Sequence, residues 1–426
     1  MLIDPWLRPL RRAGIQSVAR VAIVFAVLPG IGPARGAEQA APGQAAMPAY
    51  PLKVSGNGRY LVDQKNAPFL IAGESPQALL VNLSEEQAEA FFANRQGHGF
   101  NTLWINLLCK PYTGGRPDGS TYDGIVPFTT ADDLATPNPA YFDRCDRMVQ
   151  LAASHGLLVM LDPIETGDFL KVMTQNGPAK CREFGRYVGG RYQGFDNLLW
   201  LHGNDYQKWR DPANDAAVTA VARGIKDKDA RHLHTIELDF EVSGSLDDPN
   251  WAPIIGLCAS YTYYPTYTQV LKDYNRSNFM PVCLIESDYE FERESTPATL
   301  RRQEYWANLS GATGQMYGNG FTWPFKAGWK TNLDTPGAIQ MAYVKALLEA
   351  RAWFRPGSRP GTQGGDGRIR DVRRHDDGGQ SFQHDQRLCH GGAHAGRESG
   401  AGLSADVPAH HGGSDAVARA GRGAMV

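Results

Sequence analysis

The chain has 426 residues and a formal net charge of −2, enough for one large domain or two ordinary ones. That balance gives no electrostatic ground for nucleic acid or another strongly charged partner. Its 10% aromatic content, with nine Trp, sets it apart from a disordered chain. Such rings suit carbohydrate sites, although large cores use them as well.

The N-terminus carries Arg8, Arg11, Arg12 and Arg20 ahead of an apolar run at 21–28. Pro29, Gly30, Pro33 and Ala37 follow. This is the order of a secretory signal. The run falls short of the roughly 20 apolar residues that span a bilayer. Residues 1–37 are therefore expected to be a signal peptide cut near Gly36 or Ala37, and the product to be secreted or periplasmic, with no membrane contact after cleavage. An uncleaved anchor is the alternative. Residues 38–50, rich in Ala, Pro and Gly, are expected to be a linker. Six cysteines (Cys109, Cys145, Cys181, Cys258, Cys283 and Cys389) show no CxxC or other metal spacing. They are expected as buried free thiols, although an exported location permits a disulfide, and no metal or cofactor is required.

Two short extended runs around Gly56-Asn57-Gly58, then a second turn at 64–67, predict an N-terminal β-hairpin able to close the bottom of a barrel. A rhythm of strands and helices follows. Strands are expected at 69–73, 101–107, 157–161, 198–201, 232–237, 254–261, 282–285 and 313–321. Helices are expected at 84–98, with Ser84 and Gln87 spaced as a capping box, and at 139–155, 178–192, 213–226, 267–274, 298–309 and 338–352. Eight strands alternating with helices over residues 51–354 predict a (β/α)8 barrel, a TIM barrel, of the usual size of ~250 residues or a little more. An open doubly wound sheet is the alternative, weakened by the lack of a GxGxxG turn after the first strand.

Beyond Phe354 the composition changes. There is no Trp, Tyr or Lys, a single Phe, and six of the 11 His (375, 384, 390, 394, 410 and 411). Disorder is one reading of the low-complexity tail 355–426, and a metal site at His410-His411 another. The favoured reading is a GC-rich gene translated out of frame from about 356–365, with a native C-terminal segment lost. Resequencing the DNA tests it, and an intact frame would refute it.

The chemistry is expected at the strand ends. Leu198, Leu199, Trp200 and Leu201 run into His202, Gly203, Asn204 and Asp205, and the run 281–285 stops at Glu286. In a closed barrel the C-terminal ends of strands four and seven face each other across the mouth. Two carboxylates placed there are what glycoside hydrolysis needs: one protonates the leaving oxygen, and the other attacks the anomeric carbon or activates water. Asp205 is the candidate acid and Glu286 its partner. Blander readings are an Asx turn for Asp205, a salt bridge from Glu286 to Arg95 or Arg191, and a core position for His202. Glu74, Asn106, Asp162, Asn204, Glu237, Tyr261, Tyr263 and Trp323 complete a ring of acids, amides and aromatics suited to a polyol. Tyr261 or Tyr263 is placed to hydrogen-bond Glu286.

The blocks GRYLVDQKNAPFLIAGE, LSEEQAEAFFANRQGHGFNTL, NPAYFDRCDRMVQLAASHGLLVML, GRYVGGRYQGFDNLLWLHGND, PVCLIESDYE and RRQEYWANLSGATGQMYGNGFTWPF resemble the apiosidase-like glycoside hydrolases, a family of secreted bacterial barrel enzymes. The resemblance implies a retaining mechanism, with Asp205 as acid/base, Glu286 as nucleophile and the carboxylates ~5–5.5 Å apart. It implies an oligosaccharide or polysaccharide substrate from pectin side chains. It also implies a lost C-terminal β-sandwich in place of the tail. A non-catalytic carbohydrate- or matrix-binding barrel is the alternative. Glu74-Ser75-Pro76-Gln77 replaces the family's usual Asp-Thr pair and Trp, and this predicts a reshaped sugar pocket. An Asp as acid/base, shorter than the usual Glu, requires the backbone after Gly203 to carry it toward the sugar.

Overall fold

The computed structural model describes residues 47–355. The expected signal, most of the linker, the tail 356–426 and Cys389 lie outside the described residues. Strands β1 (Lys53–Val54), β2 (Leu61–Val62) and β3 (Pro68–Phe69) form a small antiparallel sheet, so the predicted hairpin gains a third strand. Leu52, Leu61 and Phe69 pack with Ile71, Leu158, Leu199 and Leu257, which lie toward the starts of the barrel strands. The hairpin sheet thus plugs the bottom of the barrel with apolar side chains.

Above it stands a curled nine-stranded sheet. Eight strands are parallel: β4 (Ile71–Glu74), β5 (Thr102–Asn106), β6 (Leu158–Asp162), β7 (Leu198–His202), β8 (His234–Ile236), β10 (Cys258–Thr262), β11 (Val282–Glu286) and β12 (Gly314–Tyr317). They match the eight expected strands in order. The short β9 (Val242–Gly244) was not expected; it runs antiparallel on the β10 edge. Strands β8 and β10 are not paired as a ladder, and the gap is bridged in two ways. The Gly256 amide donates to the His234 carbonyl at 2.9 Å. The Ser245 hydroxyl donates to the Ile236 carbonyl at 2.5 Å and accepts from the Ala259 amide at 2.8 Å. The chain is a TIM barrel closed at this seam by a serine.

The helices are α1 (Leu79–Asn82), α2 (Glu85–Gly97), α3 (Pro139–Ser154), α4 (Phe169–Tyr192), α5 (Pro212–Lys226), α6 (Thr266–Tyr274), α7 (Pro297–Leu309) and α8 (Pro336–Glu349). Ser84 and Gln87 form the reciprocal cap that starts α2. Helix α4 begins nine residues before the predicted start at 178, and it breaks at Gly177 (φ 74°), ahead of Pro178. Proline withdraws an amide and clashes with the preceding turn, which is why the earlier segment reads as loop in sequence.

Strand parity sorts the core into two layers. Trp104, Leu158, Met160, Leu199, Leu201, Cys283 and Ile285 fill the barrel interior. Leu103, Ile105, Val159, Leu161, Trp200 and Leu284 pack outward against the helices. Each such side chain, fully buried, contributes about 1.5–3 kcal/mol. Cys109, Cys145, Cys181, Cys258 and Cys283 are buried free thiols. Arg191 pairs with Asp143 and Asp146 on α3, away from Glu286. His202 faces outward, stacked on His234, with ring nitrogens 3.0 Å apart. Its partner is thus a second histidine, not the backbone carbonyl expected for a core His, and burial holds its pKa down at about 3.

Candidate active site

The same parity decides what reaches the mouth. On β5 and β6, Trp104 and Met160 point inward, so Asn106 and Asp162 do too, side by side in register. On β7, Leu199 and Leu201 point inward; the chain then reverses hand. Gly203 (φ 113°), Asn204 (φ 89°) and Asp205 (φ 47°) are consecutive left-handed residues. A Cβ on Gly203 would lie 2.1 Å from the Glu237 carbonyl oxygen, so only glycine fits there. Asn and Asp tolerate this region better than other side chains. The turn is clamped from behind by Thr166, whose amide donates to the Gly203 carbonyl at 2.9 Å and whose hydroxyl donates to the Asn204 carbonyl at 2.9 Å. This backbone reversal is how the short aspartate is carried to the mouth.

Asn204 is held by amides. Its Oδ1 accepts from Asn106 at 2.9 Å, and its Nδ2 donates to Gln77 Oε1 at 3.3 Å. Asn106 in turn accepts from the Trp104 indole at 2.9 Å. Asp205 is half-buried. Its Oδ2 accepts from the Tyr112 hydroxyl at 2.6 Å, and its backbone amide donates to Glu237 Oε2 at 3.0 Å.

Glu286 reaches the mouth through a β-bulge. Register between β10 and β11 runs Ser260↔Leu284 and then Tyr261↔Glu286, which leaves Ile285 unpaired. Cys283 and Ile285 both face inward, so without the bulge Glu286 would face the helices. Instead its Oε1 accepts from Tyr261 at 2.9 Å and Tyr263 at 2.8 Å, and its Oε2 accepts from Tyr289 at 2.7 Å. No cation pairs with it among the described residues. Burial and the charge on Asp205 push its pKa up to about 8, against the three hydroxyls, which favour the carboxylate. Glu237, buried beside Glu286 and Asp205, is pushed well above the carboxylate range. Asp162 is likewise raised by burial, and its Oδ2 has no partner.

The structure therefore brings together Asn106, Asp162, Asn204, Asp205, Glu237, Tyr261, Tyr263 and Glu286. Trp323 sits half-buried after β12, its indole donating to Glu292 at 2.7 Å. Glu74 is a correction. With Ile71 and Gly73 on the inner face, Glu74 points outward, fully buried. It pairs with Arg95 of α2 at 2.5 Å and accepts from Thr322 at 2.6 Å. It cannot touch a sugar in the mouth or reshape the pocket directly. The residue of that segment that does reach the site is Gln77. Arg95 is thereby accounted for, and it does not bridge Glu286.

Tyr112, Thr166, Gln77 and Tyr289 escape sequence reasoning because all lie on loops with no periodic signal. The nearest hint is the long stretch between the second expected strand and the helix at 139–155, which carries Tyr112. The Tyr112 ring packs on Gly167, where a Cβ would lie 2.2 Å from it. An open groove of about 720 Å³ borders Asp205 on this side, lined by Tyr112, Thr166, Asp168, Lys171 and Lys208 among others.

A closed (β/α)8 barrel with carboxylates after its fourth strand and on its seventh falls in the class of glycoside-hydrolase barrels. More narrowly, residues 55–355 match the model of the apiosidase-like catalytic domain, and the chain belongs to that family. No curated protein matches it in sequence. Among solved structures it is similar to a glycoside hydrolase at 21% identity and TM-score 0.63, covering 72% of this chain and 79% of that one. It is equally similar to a glycoside hydrolase family 5 protein from Bacteroides vulgatus ATCC 8482, at 21% identity and TM-score 0.63, covering 71% and 72%. At these identities the likeness is one of fold.

Proposed function

We propose that the protein is a retaining glycoside hydrolase that acts on plant cell-wall oligosaccharides of the pectin type, with Asp205 as acid/base and Glu286 as nucleophile. The observation that carries this reading is the setting of Glu286: a buried carboxylate with three phenolic donors, no cation, and Asp205 as its charged neighbour. A structural salt bridge would neutralise the charge; hydroxyls keep it available. In the first step a Glu286 oxygen attacks the anomeric carbon while the proton on Asp205 passes to the leaving oxygen. In the second, Asp205 takes a proton from water, which releases the sugar from Glu286. When Asp205 carries its proton, its repulsion of Glu286 is gone, and the tyrosine hydroxyls then stabilise the nucleophile as the anion. The groove beside Asp205 suits the leaving group. Family membership supports the carbohydrate substrate, and the N-terminal pattern supports action after export.

Kinetics on aryl glycosides and pectin-derived oligosaccharides test the assignment. Glu286→Gln is expected to abolish turnover with the fold intact. Asp205→Ala is expected to lose most of it and to regain part with azide on a substrate with a good leaving group. Full activity in either variant without azide would refute these roles.

A further inference from the structure

Glu237 is the group at the mouth that the Asp205–Glu286 pair leaves unexplained. It follows β8 on the inner face, one residue past Ile236, and is 1% exposed. Its Oε2 accepts the Asp205 amide at 3.0 Å. Its Oε1 is buried and has no hydrogen-bond partner among the described residues. The groups around it are acids and phenols: Asp162 from β6, Asp205 after β7, Glu286 on β11, and the hydroxyls of Tyr112, Tyr261 and Tyr289 from three further segments. None of these is a cation.

An ionised Glu237 would add its charge, in a dry site, to that of the Asp205–Glu286 pair, with one oxygen left bare. The neutral acid removes the charge, and a neutral oxygen costs far less to bury without a partner than a charged one. Oε2 already accepts an N–H, so it is the carbonyl oxygen, and the proton belongs on Oε1. We propose that Glu237 is a positioning residue that works as a neutral acid, its Oε2 holding the left-handed turn that presents Asp205 and its proton resting on the buried Oε1. This rests on the acid/base reading of Asp205. Burial and the two like charges push the group in the same direction. The turn needs such a holder. Two consecutive non-glycine residues at positive φ are each strained by about 1–3 kcal/mol and persist only where neighbours fix them. Thr166 fixes the carbonyls of Gly203 and Asn204, and Glu237 fixes the amide of Asp205.

The test compares Glu237→Gln with Glu237→Ala in the full chain. Glutamine is the shape of the neutral acid: its oxygen accepts the Asp205 amide and its NH2 replaces Oε1–H. Glu237→Gln is expected to retain at least about tenfold more of the parental kcat than Glu237→Ala does and to leave the pH profile in place. Glu237→Ala is expected to lower kcat by about thirtyfold or more with KM little changed, since the turn rather than the binding face is loosened. Two readouts need no turnover. Hydrogen exchange at the Asp205 amide should be unchanged in Glu237→Gln and at least tenfold faster in Glu237→Ala. Infrared spectra at pH 7 should lose one protonated-carboxyl component in Glu237→Gln. A Gln variant as impaired as Ala, an Ala variant with parental exchange and kcat, or an unchanged carboxyl signal each overturns the proposal. A parent chain that cleaves no glycoside overturns the hydrolase reading instead, and the exchange and infrared results still decide the state of Glu237.

Discussion

Replacing Glu286 by Gln is expected to stabilise the protein, and increasingly so as the pH rises. Glu286 titrates near 8 in the folded chain against 4.5 ordinarily. A carboxyl whose folded value lies above its unfolded one takes up a proton on folding between those two values. Stability contributed by the neutral form is complete below about pH 4.5 and is lost as the pH rises through about 8. At about 1.36 kcal/mol per pH unit the interval amounts to about 5 kcal/mol as an upper bound. Sharing of protons with Asp205 and Glu237 spreads that sum; a share of a little under half for Glu286 is about 2 kcal/mol. The glutamine side chain keeps the volume and one acceptor for Tyr261 and Tyr263, and the Tyr289 hydroxyl can accept from its NH2. Urea titrations and thermal melts from pH 5 to pH 8.5 read the difference. The two proteins should agree near pH 5, and the variant should lead by about 2 kcal/mol at pH 8, several degrees in Tm. The raised values of Glu237 and Asp162 slope the curve in both proteins and largely cancel. A lead that does not change with pH, or a variant less stable at pH 8, would refute this account of the site's charge.

Gly203→Ala should destabilise the fold by more than about 2 kcal/mol and lower kcat at least tenfold, because the new Cβ meets the Glu237 carbonyl at 2.1 Å and unseats the Asp205 turn; urea unfolding and kinetics check both effects. Arg95→Ala should cost about 3–5 kcal/mol by leaving Glu74 buried and unpaired, and what remains folded should keep the parental KM; a raised KM would return Glu74 to the sugar site. Tyr112→Phe removes the hydroxyl 2.6 Å from Asp205 and should lower kcat/KM by roughly tenfold, the worth of one hydrogen bond to a charged group. The kcat/KM profile should fall on its alkaline side near pH 8, where the coupled carboxyls give up the proton that the first step needs.

The barrel was legible because its signals are local. Apolar runs of four or five residues gave the strands, and Ser84 with Gln87 gave the start of α2. Asp205 and Glu286 stood out because each ends such a run. What sequence could not supply was direction. An acid at a strand end looks the same whichever face it takes, and so Glu74 was placed with the sugar ligands although the pleat turns it to Arg95. Glu286 has the opposite history: plain alternation would point it outward, and only the bulge at Ile285 turns it in. The strand β9 is short and contains Gly and Ser, too weak a pattern to see. Tyr112, Thr166 and Tyr289 come from loops whose paths depend on the finished barrel.

The central claim is that Glu286 bonds covalently to the sugar. Incubation with a 2-deoxy-2-fluoro glycoside that carries a good leaving group, built on whichever sugar the parent enzyme turns over, should arrest that intermediate. Peptide mass spectrometry should then find one added fluorosugar on the segment containing Glu286, and none on the Glu286→Gln variant. A label on Asp205, or none while proton NMR shows the first-formed product with inverted anomeric configuration, would contradict it.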